Sequence, residues 1–543
     1  MKSHFFTLLS FCLIALSSFS QTPELVKDIQ PGTLPCSAYD FTAYNGKVYF
    51  KASDVGYGDN SELWVTDGTE AGTQKVTEIN PTGGSNPGNF TELNGMLYFT
   101  AYSSSVANNS LYATDGDTVY RVKDIGVYGL TTFNGKLYFR GHLATSTDDE
   151  LWVSDGTEAG TLMVKDIFPG GSYTQSSYPF YFAEYNGLLY FIAQDSTNRY
   201  GLWKTDGTEA GTQKVKDIGS QVTYLKAAIG KLFFYSVKYL GIGYNAFWVS
   251  DGTEAGTQIL QELNFPDNTL SYPVEMNGKV YFAASDTLTP NVEPWVTDGT
   301  VSGTQIVKDI VPPYRGCFLK HLTMMNGKLY FNAQDGFNGD EELWVTDGTD
   351  AGTYKVKDIA PGSASSFPSK LTVYNGRLYF VATAGSQQEQ LWVTDGTEAG
   401  TQIVAGPAGT NVNDPLYFGH GIGNMRVADG SLYFSAKYDT AIGGELYKLT
   451  TPIYTSIVSP AEETSFNIYP NPASGELNVQ GLQFEVGDEA RIFDLLGKEV
   501  YFIGFSNTTS TIRIQISNME NGVYLVKVKS GGNFITRKLI IQH

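Results

Sequence analysis

A twelve-residue phrase returns along this chain at intervals of 40 to 51 residues. It reads Glu-Leu-Trp-Val-Thr-Asp-Gly-Thr-Glu-Ala-Gly-Thr at residues 62–73 and recurs nearly intact at 150–161 and 342–353. Looser or eroded copies start at Ser110, Gly201, Ala246, Glu293 and Gln390. Repeats of this length are typical of solenoids and propellers, in which one supersecondary unit is stacked many times. The repeat therefore constrains the fold more strongly than composition does.

Each unit contains four short apolar segments that predict β-strands. The first leads into an Asn-Gly pair such as Asn45-Gly46, and the second carries Tyr-Phe directly after that pair. Asn-Gly between apolar runs favours a type I′ hairpin, because both residues tolerate positive φ. The third segment holds the Leu-Trp-Val of the phrase. The fourth is Val-Lys-Asp-Ile, as at residues 26–29, and its charges suit an outermost strand.

Four-stranded units of this length, apolar on both faces, predict the blades of a β-propeller. Residues 26–29 have no three strands before them, and the last unit, which ends near residues 446–449, has no fourth segment after it. We expect these two segments to pair and complete a final blade. The predicted fold is all-β, with a propeller of about nine four-stranded blades and then a small β-sandwich. An open β-solenoid is the competing architecture.

All seven tryptophans occupy one position of the repeat, between Leu and Val or their equivalents: Trp64, Trp152, Trp203, Trp248, Trp295, Trp344 and Trp392. A position repeated within a strand indicates packing between blades. Stacking on sugars is the alternative interpretation. Cys36 and Cys317 also fall at equivalent places in distant repeats, where a disulfide is not expected because its Cα atoms must lie within about 7 Å.

The repeated phrase resembles the bacterial surface-protein repeat named for Glu-Leu-Trp-x-x-Asp-Gly-Thr. The resemblance covers residues 25 to about 449. It implies display on a cell surface and leaves the activity open. We assign residues 21–449 to the repeat propeller.

The two ends of the chain have different compositions. Residues 1–20, with a lysine followed by an apolar run, predict a signal peptide. Residues 450–465 form a polar linker, and the tail at 466–543 has short alternating segments typical of a β-sandwich. This tail resembles the type A C-terminal sorting domain of the type IX secretion system. Its motif residues are Tyr469, Pro470, Asn471, Pro472, Asp494, Gly497, Gly522, Tyr524 and Lys538.

The sorting-domain resemblance implies handling by the type IX machinery, with export through the periplasm and across the outer membrane. It also implies removal of the tail and attachment to surface lipopolysaccharide. The net charge of −20 argues against nucleic acid, whose phosphates require clustered Lys and Arg. No segment after residue 20 has the ~18 apolar residues that a membrane-spanning helix needs.

Few residues suggest chemistry. The Gly-rich loop with Asp335, Asn338 and Asp340 offers hard oxygen donors and is a candidate calcium site, the one cofactor that the sequence suggests. No zinc-binding His pairing, nucleophile elbow or phosphate loop occurs, so an enzyme is not favoured. The sequence therefore predicts a secreted or surface-displayed adhesion module for glycan or protein.

Two alternatives stay open. One is a glycan-active hydrolase or lyase, for which the least repeat-like region, residues 418–426, is the place to search. The other is a structural component of a surface layer.

Overall fold

The computed structural model shows an all-β protein with two compact units, Met1–Pro452 and Ile453–His543. It describes residues 22–55, 60–104, 108–143, 148–170, 176–219, 221–237, 245–263, 272–285, 292–311, 316–336, 340–385, 389–407, 425–439, 441–450, 467–484, 488–494, 499–504, 509–530 and 533–542. Within these ranges, no helix is long and apolar enough to cross a bilayer. The predicted signal peptide and all but the first residue of the predicted linker lie outside them.

The first unit contains nine four-stranded antiparallel sheets among the described residues, as the repeat predicts. Sheets 1 to 8 each consist of four consecutive strands. Sheet 9 consists of the last three strands of the unit and β1 (Glu24–Lys27), in the order β1-β36-β35-β34.

The strands of sheets 1 to 3 are β2 (Tyr39–Tyr44), β3 (Lys47–Ala52), β4 (Glu62–Thr66), β5 (Gln74–Thr77), β6 (Gly88–Leu93), β7 (Met96–Ser103), β8 (Asn108–Thr114), β9 (Val119–Lys123), β10 (Ile125–Phe133), β11 (Lys136–Leu143), β12 (Glu150–Ser154) and β13 (Leu162–Lys165). Those of sheets 4 to 6 are β14 (Phe180–Tyr185), β15 (Leu188–Gln194), β16 (Tyr200–Thr205), β17 (Gln213–Asp217), β18 (Gln221–Ala228), β19 (Lys231–Val237), β20 (Ala246–Ser250), β21 (Gln258–Glu262), β22 (Val274–Met276), β23 (Lys279–Ser285), β24 (Val292–Thr297) and β25 (Gln305–Ile306). Those of sheets 7 to 9 are β26 (Lys320–Met325), β27 (Lys328–Gln334), β28 (Glu341–Thr346), β29 (Tyr354–Lys357), β30 (Ser369–Tyr374), β31 (Arg377–Thr383), β32 (Glu389–Thr394), β33 (Gln402–Ile403), β34 (Arg426–Ala428), β35 (Ser431–Ala436) and β36 (Glu445–Thr450).

The first two strands of each sheet are joined by the expected tight turn. Asn45 and Gly46 have φ of 49° and 66°, the positive values that a type I′ turn requires. The first strands of neighbouring sheets approach one another, so we call them the inner strands and the fourth strands the outer strands.

The core lies between consecutive sheets and is built from the two middle strands. The Tyr-Phe and Leu-Trp-Val segments are almost fully buried. One apolar cluster joins sheet 9 to sheet 1 through Tyr433 and Leu446 on one side and Phe41 and Phe50 on the other. Stacked sheets explain why these strands are apolar on both faces.

Strand β1 pairs with β36 in antiparallel register, with Leu25 opposite Tyr447 and Lys27 opposite Leu446. The pairing expected between the two ends of the repeat region is therefore present. The strand ends at Lys27 and not at Ile29, because the Ile29 N–H donates to the Glu445 carboxylate (2.8 Å) and leaves the ladder.

The buried glutamate that opens the repeated phrase joins two units. Glu150 accepts the Ile167 N–H (2.8 Å) from its own unit, and the Ser177 N–H (3.0 Å) and hydroxyl (2.6 Å) from the next. Cys36 and Cys317 occupy the position of Ser177 and are buried without a disulfide. Burial raises the pKa of three of these glutamates to about 7: Glu150, Glu293 and Glu445.

The Asp-Gly-Thr loop has one geometry in seven sheets. In sheet 1, Asp67 Oδ1 accepts the Thr69 N–H (2.9 Å) and hydroxyl (2.7 Å), and the Thr73 hydroxyl donates to the Thr69 carbonyl (2.6 Å). These bonds from Thr69 lower the pKa of the Asp67 carboxyl. A Cβ on Gly72 would lie 2.0 Å from Asp67 Oδ1, so a larger residue at this position would clash with the aspartate. The same aspartate bonds recur at Asp155, Asp206, Asp251, Asp298, Asp347 and Asp395.

A lysine in the outer strand connects six of the seven such loops to the sheet before it; the loop of sheet 6 is the exception, because Gln261 stands at this position in sheet 5. Lys357 Nζ donates to the Thr401 carbonyl (2.8 Å) of the next sheet, and Lys123 Nζ to that of Thr161 (2.8 Å). The lysine is replaced where the next sheet lacks the full loop: Thr77 precedes the shortened turn of sheet 2, and Ala405 precedes sheet 9. Among these sheets the lysine is thus found only before a full loop, and only the loop of sheet 6 lacks it.

The tail unit has a three-stranded and a four-stranded sheet around one apolar core. Its strands are β37 (Asn467–Tyr469), β38 (Glu476–Phe484), β39 (Glu489–Phe493), β40 (Glu499–Gly504), β41 (Thr509–Gln515), β42 (Gly522–Ser530) and β43 (Asn533–Ile541). The sheets have the orders β37-β38-β41 and β40-β39-β42-β43. This is the small sandwich that the sequence predicts.

Candidate functional site

The inner strands contain a recurring β-bulge. In seven sheets the register between the inner strand and its neighbour shifts at this point. The bulge contains the residue five positions before the tight turn, and we call the residues at this position the inner band. In the described sheets they are Asp40, Asn89, Gly129, Tyr181, Tyr224, Tyr272, His321 and Lys370. The sheet 9 position, residue 424, lies outside the described ranges.

Several band residues have a backbone that their side chains disfavour. Tyr181 has φ of 55°, Tyr224 of 57°, His321 of 63° and Lys370 of 55°. Positive φ is a genuine outlier for a bulky side chain, and bulges beside functional sites redirect side chains. The positive φ is thus found at seven of the eight described band positions, all but Tyr272, while the side chain changes from sheet to sheet.

Neighbouring band residues touch across sheet boundaries. The rings of Tyr181 and Tyr224 have centroids 5.7 Å apart, and those of Tyr224 and Tyr272 are 4.3 Å apart in an edge-to-face arrangement. Tyr272 is 56% exposed, so part of this aromatic surface is open to solvent. Sheets 4 to 6 therefore present a continuous tyrosine surface.

On sheets 9, 1 and 2 the same band borders a polar cavity of about 520 Å³. Band residues Asp40 and Asn89 line it together with Lys51 and Arg426. Asn86, Asn109, Thr42 and Thr100 contribute further polar groups. Arg426 belongs to the region singled out as least repeat-like, whose residues 418–424 lie outside the described ranges.

Lys51 packs on an aromatic ring in this cavity. Its Nζ lies 3.9 Å from the centroid of the Tyr39 ring, and burial lowers the pKa of its ammonium group against an opposing effect of Asp40. In the part of the chain that the structure describes, neither Lys51 nor Arg426 forms a salt bridge. Among the described residues, the cavity therefore has two cations that no carboxylate contacts closely.

Sheet 3 carries a separate charged cluster. Asp149 Oδ1 lies 2.7 Å from His142 Nδ1, and its Oδ2 accepts from the Arg140 guanidinium. The guanidinium is stacked between the rings of Tyr128 and Tyr178, 4.7 and 4.8 Å from their centroids. Burial raises the pKa of Asp149, but the bonds from His142 and Arg140 outweigh it and lower the pKa overall.

No sequence motif marks the band, the cavity or this cluster. The sequence holds two weaker signals: the changing residue five positions before each turn, and the short spacing of 40 residues between Asp115 of sheet 2 and Asp155 of sheet 3.

Asp335 and Asp340 of the candidate calcium loop both form ion pairs with Lys355, at 2.7 and 2.6 Å. Their proposed companion Asn338 lies outside the described residues. Asp340 can also bring a carboxylate oxygen near those of Glu342 and Asp358, all within 4.8 Å. Lys355 offsets only one of the two loop charges, and the calcium site stays a prediction.

The seven tryptophans lie between sheets and are only 5–8% exposed. Trp344 of sheet 7 packs against Ala283 and Val292 of sheet 6. Trp64 of sheet 1 similarly packs in the cluster shared with sheet 9. These positions give the indole rings no accessible face for a sugar.

The predicted sorting residues meet at the edge of the tail sandwich. Asn471 Nδ2 donates to the Lys538 carbonyl (2.8 Å), and its Oδ1 accepts the Ile540 N–H (2.8 Å). Tyr469 and Pro470, like Asn471 and Pro472, are joined by cis peptide bonds. Other predicted members lie elsewhere in the unit: Asp494 follows β39, and Gly522 and Tyr524 lie in β42. Gly497 lies outside the described residues.

Residues 467–542 match the family model described as the secretion system C-terminal sorting domain. The tail is a type IX sorting domain. This sorting domain indicates export to the cell surface or secretion, and handling by the type IX machinery.

Comparison of structures gives β-propeller proteins at low similarity. A pair of prolyl endopeptidases studied for inter-domain dynamics gives a TM-score of 0.36 at 14% identity, covering 58% of this chain and 49% of that chain. The β-propeller domain of the Trilobed protease from Pyrococcus furiosus gives 0.32 at 12%, covering 61% and 99%. An oligogalacturonate lyase in complex with manganese gives 0.33 at 8%, covering 67% and 97%.

The chain spans about half the length of the prolyl endopeptidase it matches. No curated protein matches the sequence. At these identities the structural similarity concerns the fold alone.

Proposed function

We propose that this chain is a surface or secreted binding module whose inner band and polar cavity hold a glycan or protein ligand. The observation that carries the proposal is the difference between the two parts of each repeat. The Asp-Gly-Thr loop has the same bonds in seven sheets, whereas the bulged band position changes from Asp40 to Asn89 to Tyr181 on one backbone geometry. Fixed backbone with variable side chains is the arrangement of a recognition surface on a rigid scaffold.

Both band surfaces suit a ligand. Tyrosines supply large amphipathic contact area, and the cavity is in the size range of small-molecule pockets. In a closed ring of nine sheets, which the β1–β36 pairing supports, the band would encircle the mouth of a channel. We further propose that the tail is removed after export and that the mature protein is attached to surface lipopolysaccharide.

A glycan array with the purified chain tests this function, with isothermal titration for each ligand found. Tyr224→Ala should weaken binding at the tyrosine surface by about tenfold, and Asp40→Asn should change binding in the cavity. Tyr120→Ala on outer strand β9 is the matched control, since Tyr120 is 45% exposed and lies outside the band. Ligands that bind the wild type and both band variants equally would contradict the proposed surface.

A glycan-active hydrolase or lyase is the second candidate, favoured by one observation. A buried carboxylate bonded to one imidazole nitrogen, as in Asp149 and His142, fixes the ring as general acid–base catalysis requires. Product release from the glycans that bind should then be abolished in His142→Asn. Absence of any product with the wild type would remove this candidate and leave the binding function intact.

A further inference from the structure

The cavity on sheets 9, 1 and 2 is positively charged in a strongly acidic protein. The chain has a net charge of −20, and the lysines that the structure describes elsewhere commonly have close oxygen partners. Lys75, Lys214 and Lys355 form ion pairs with aspartates, and Lys123 and Lys165 bind loop carbonyls. Within the described residues, Lys51 and Arg426 make no such pair although both line one cavity.

Among the described lining residues, Asp40 is the one carboxylate beside these cations. It acts on Lys51 through its field without a salt bridge in the described structure. With two cations and one carboxylate, the described lining has one net positive charge. A half-buried ammonium group stacked on Tyr39 is stabilised further when an anion reaches it.

The rest of the lining consists largely of groups that match hydroxyls. Asn86, Asn89 and Asn109 each offer an amide that both donates and accepts. Asn89 Nδ2 donates to Thr100 Oγ1 (3.1 Å), and Thr100 Oγ1 donates to the Gly88 carbonyl (3.2 Å), which holds this wall in place. Sugar hydroxyls need paired donors and acceptors of this kind.

An acidic peptide would be the competing anionic ligand. Protein-binding surfaces are enriched in aromatic and apolar anchors at their centres and depleted of Lys and Asp. The apolar side chains of the described lining are Phe41 (2% exposed), Met425 (6% exposed) and a partly exposed Phe90, so this lining has one accessible aromatic group among many polar ones. A glycan therefore fits the lining better than a peptide does.

We propose that this cavity binds a glycan through an acidic substituent, a carboxylate or a sulfate, held by Lys51 and Arg426. The inference rests on the proposed binding function and gives its ligand a chemical class. The amides of Asn86, Asn89 and Asn109 contact the neighbouring hydroxyls. Asp40 limits affinity by repelling the acidic group and favours glycans with a single charge at this place.

The test measures binding of matched oligosaccharides to the full purified chain by isothermal titration calorimetry. One probe is a uronic-acid oligosaccharide, the second its carboxyl-reduced neutral form, and the third a sulfated oligosaccharide. We expect the acidic probes to bind at least tenfold more tightly than the neutral one, because a hydrogen bond to a charged group contributes about this much affinity. The preference should weaken as salt is raised. The better of the two acidic probes identifies the substituent.

Variants locate the effect. Lys51→Met and Arg426→Gln should each lower affinity for the acidic probe about tenfold and leave the neutral probe unchanged. Asp40→Asn should raise affinity for the acidic probe. Lys279→Met, an exposed lysine at a tight turn, is the matched control and should change neither. If Lys51→Met melts at a lower temperature, Lys51→Arg, which keeps the charge, should retain the preference.

The outcomes separate the two proposals. Equal binding of acidic and neutral glycans would overturn the charged-ligand inference and leave the binding function standing. Failure of the wild type to bind any glycan on the array or in titration would overturn the inference together with glycan binding as the function. Tighter binding of polyglutamate than of the acidic glycans, lost in Lys51→Met, would overturn the glycan assignment in favour of an acidic peptide.

Discussion

The outer and inner parts of each sheet differ in what they keep constant. On the outer side, the Asp-Gly-Thr loop and the lysine bound to it repeat with nearly the same distances, as between Lys357 and Thr401 or Lys123 and Thr161. On the inner side the bulge is constant and its side chain is not, since Tyr224 and His321 stand at one position. Changes on the outer side or in the core should therefore alter stability, and changes in the band should alter ligand binding.

The largest effect is expected from the core that connects these two parts. Trp344→Ala removes an indole that is 7% exposed between sheets 6 and 7, and should lower the free energy of unfolding by roughly 3–5 kcal/mol. Chemical denaturation measures the change, with the exposed Tyr120→Ala as control. Unchanged melting with loss of sugar binding would show instead that the tryptophan position recognises ligand.

The buried glutamates should make stability depend on pH. Glu150 titrates at about 7 in the fold against 4.5 as its ordinary value, so the folded state binds more protons between these values. Stability should therefore fall as pH rises from 4.5 through 7, by on the order of 3 kcal/mol for this residue. The glutamine in Glu150→Gln stays neutral at every pH, so this variant should show a smaller dependence of stability on pH than the wild type. Melting temperatures at pH 5 and pH 8 measure the difference.

Two features sharpen the pH test. The loop aspartates have lowered pKa values, so their contribution is lost only below the range in which the glutamates titrate. Glu158→Gln, on the exposed loop of the same sheet, is the matched control and should retain the wild-type slope. An equal slope in wild type and Glu150→Gln would show that Glu150 is ionised throughout.

A smaller effect is expected from the lysine that binds the next loop. Lys357→Met loses the bond to the Thr401 carbonyl and should lower the free energy of unfolding by about 1 kcal/mol. Lys279→Met should change it by less than about 0.5 kcal/mol. Introducing the lysine gives the reverse test. Gln261 lies before the full loop of sheet 6, so Gln261→Lys should raise the free energy of unfolding. Thr77 lies before the shortened turn of sheet 2, so Thr77→Lys should not.

The smallest effect on stability is expected from loss of the tail. Deleting residues 466–543 removes the sorting domain, which forms its own compact unit, and should leave the melting temperature of the repeat unit unchanged. Cell fractionation should then find the protein in the periplasm. Normal surface display of the shortened chain would contradict this prediction, whereas an intact tail on the surface form would contradict only its removal.

The repeated features were predictable from the sequence because each is specified several times. Asn45-Gly46 predicts its turn, and residues 26–29 without preceding strands predict the pairing of β1 with β36. The role of the outer-strand lysines was predicted only in part. Their charge was expected to suit an outermost strand, but their bonds to the loop of the next sheet depend on how separate sheets pack.

The inner band was not predictable from the sequence, for the opposite reason. Asp40, Tyr181 and Lys370 share a backbone geometry and no side-chain chemistry, so no motif marks them. The cavity likewise depends on Lys51 and Arg426 meeting from opposite ends of the repeat region. The ion pairs of Lys355 with Asp335 and Asp340 were not predictable either, because the sequence alone does not show which cation lies near two carboxylates.

The bond from Ile29 to Glu445 joins residues 416 positions apart, and this distance has a consequence for the order of folding. Until Glu445 and β36 have been synthesised, β1 has no partner and sheet 9 has an unfinished edge. Contacts of such separation form late, and unpaired edges invite aggregation. A chain that ends before β36 therefore lacks the strand that pairs with β1 in the full chain.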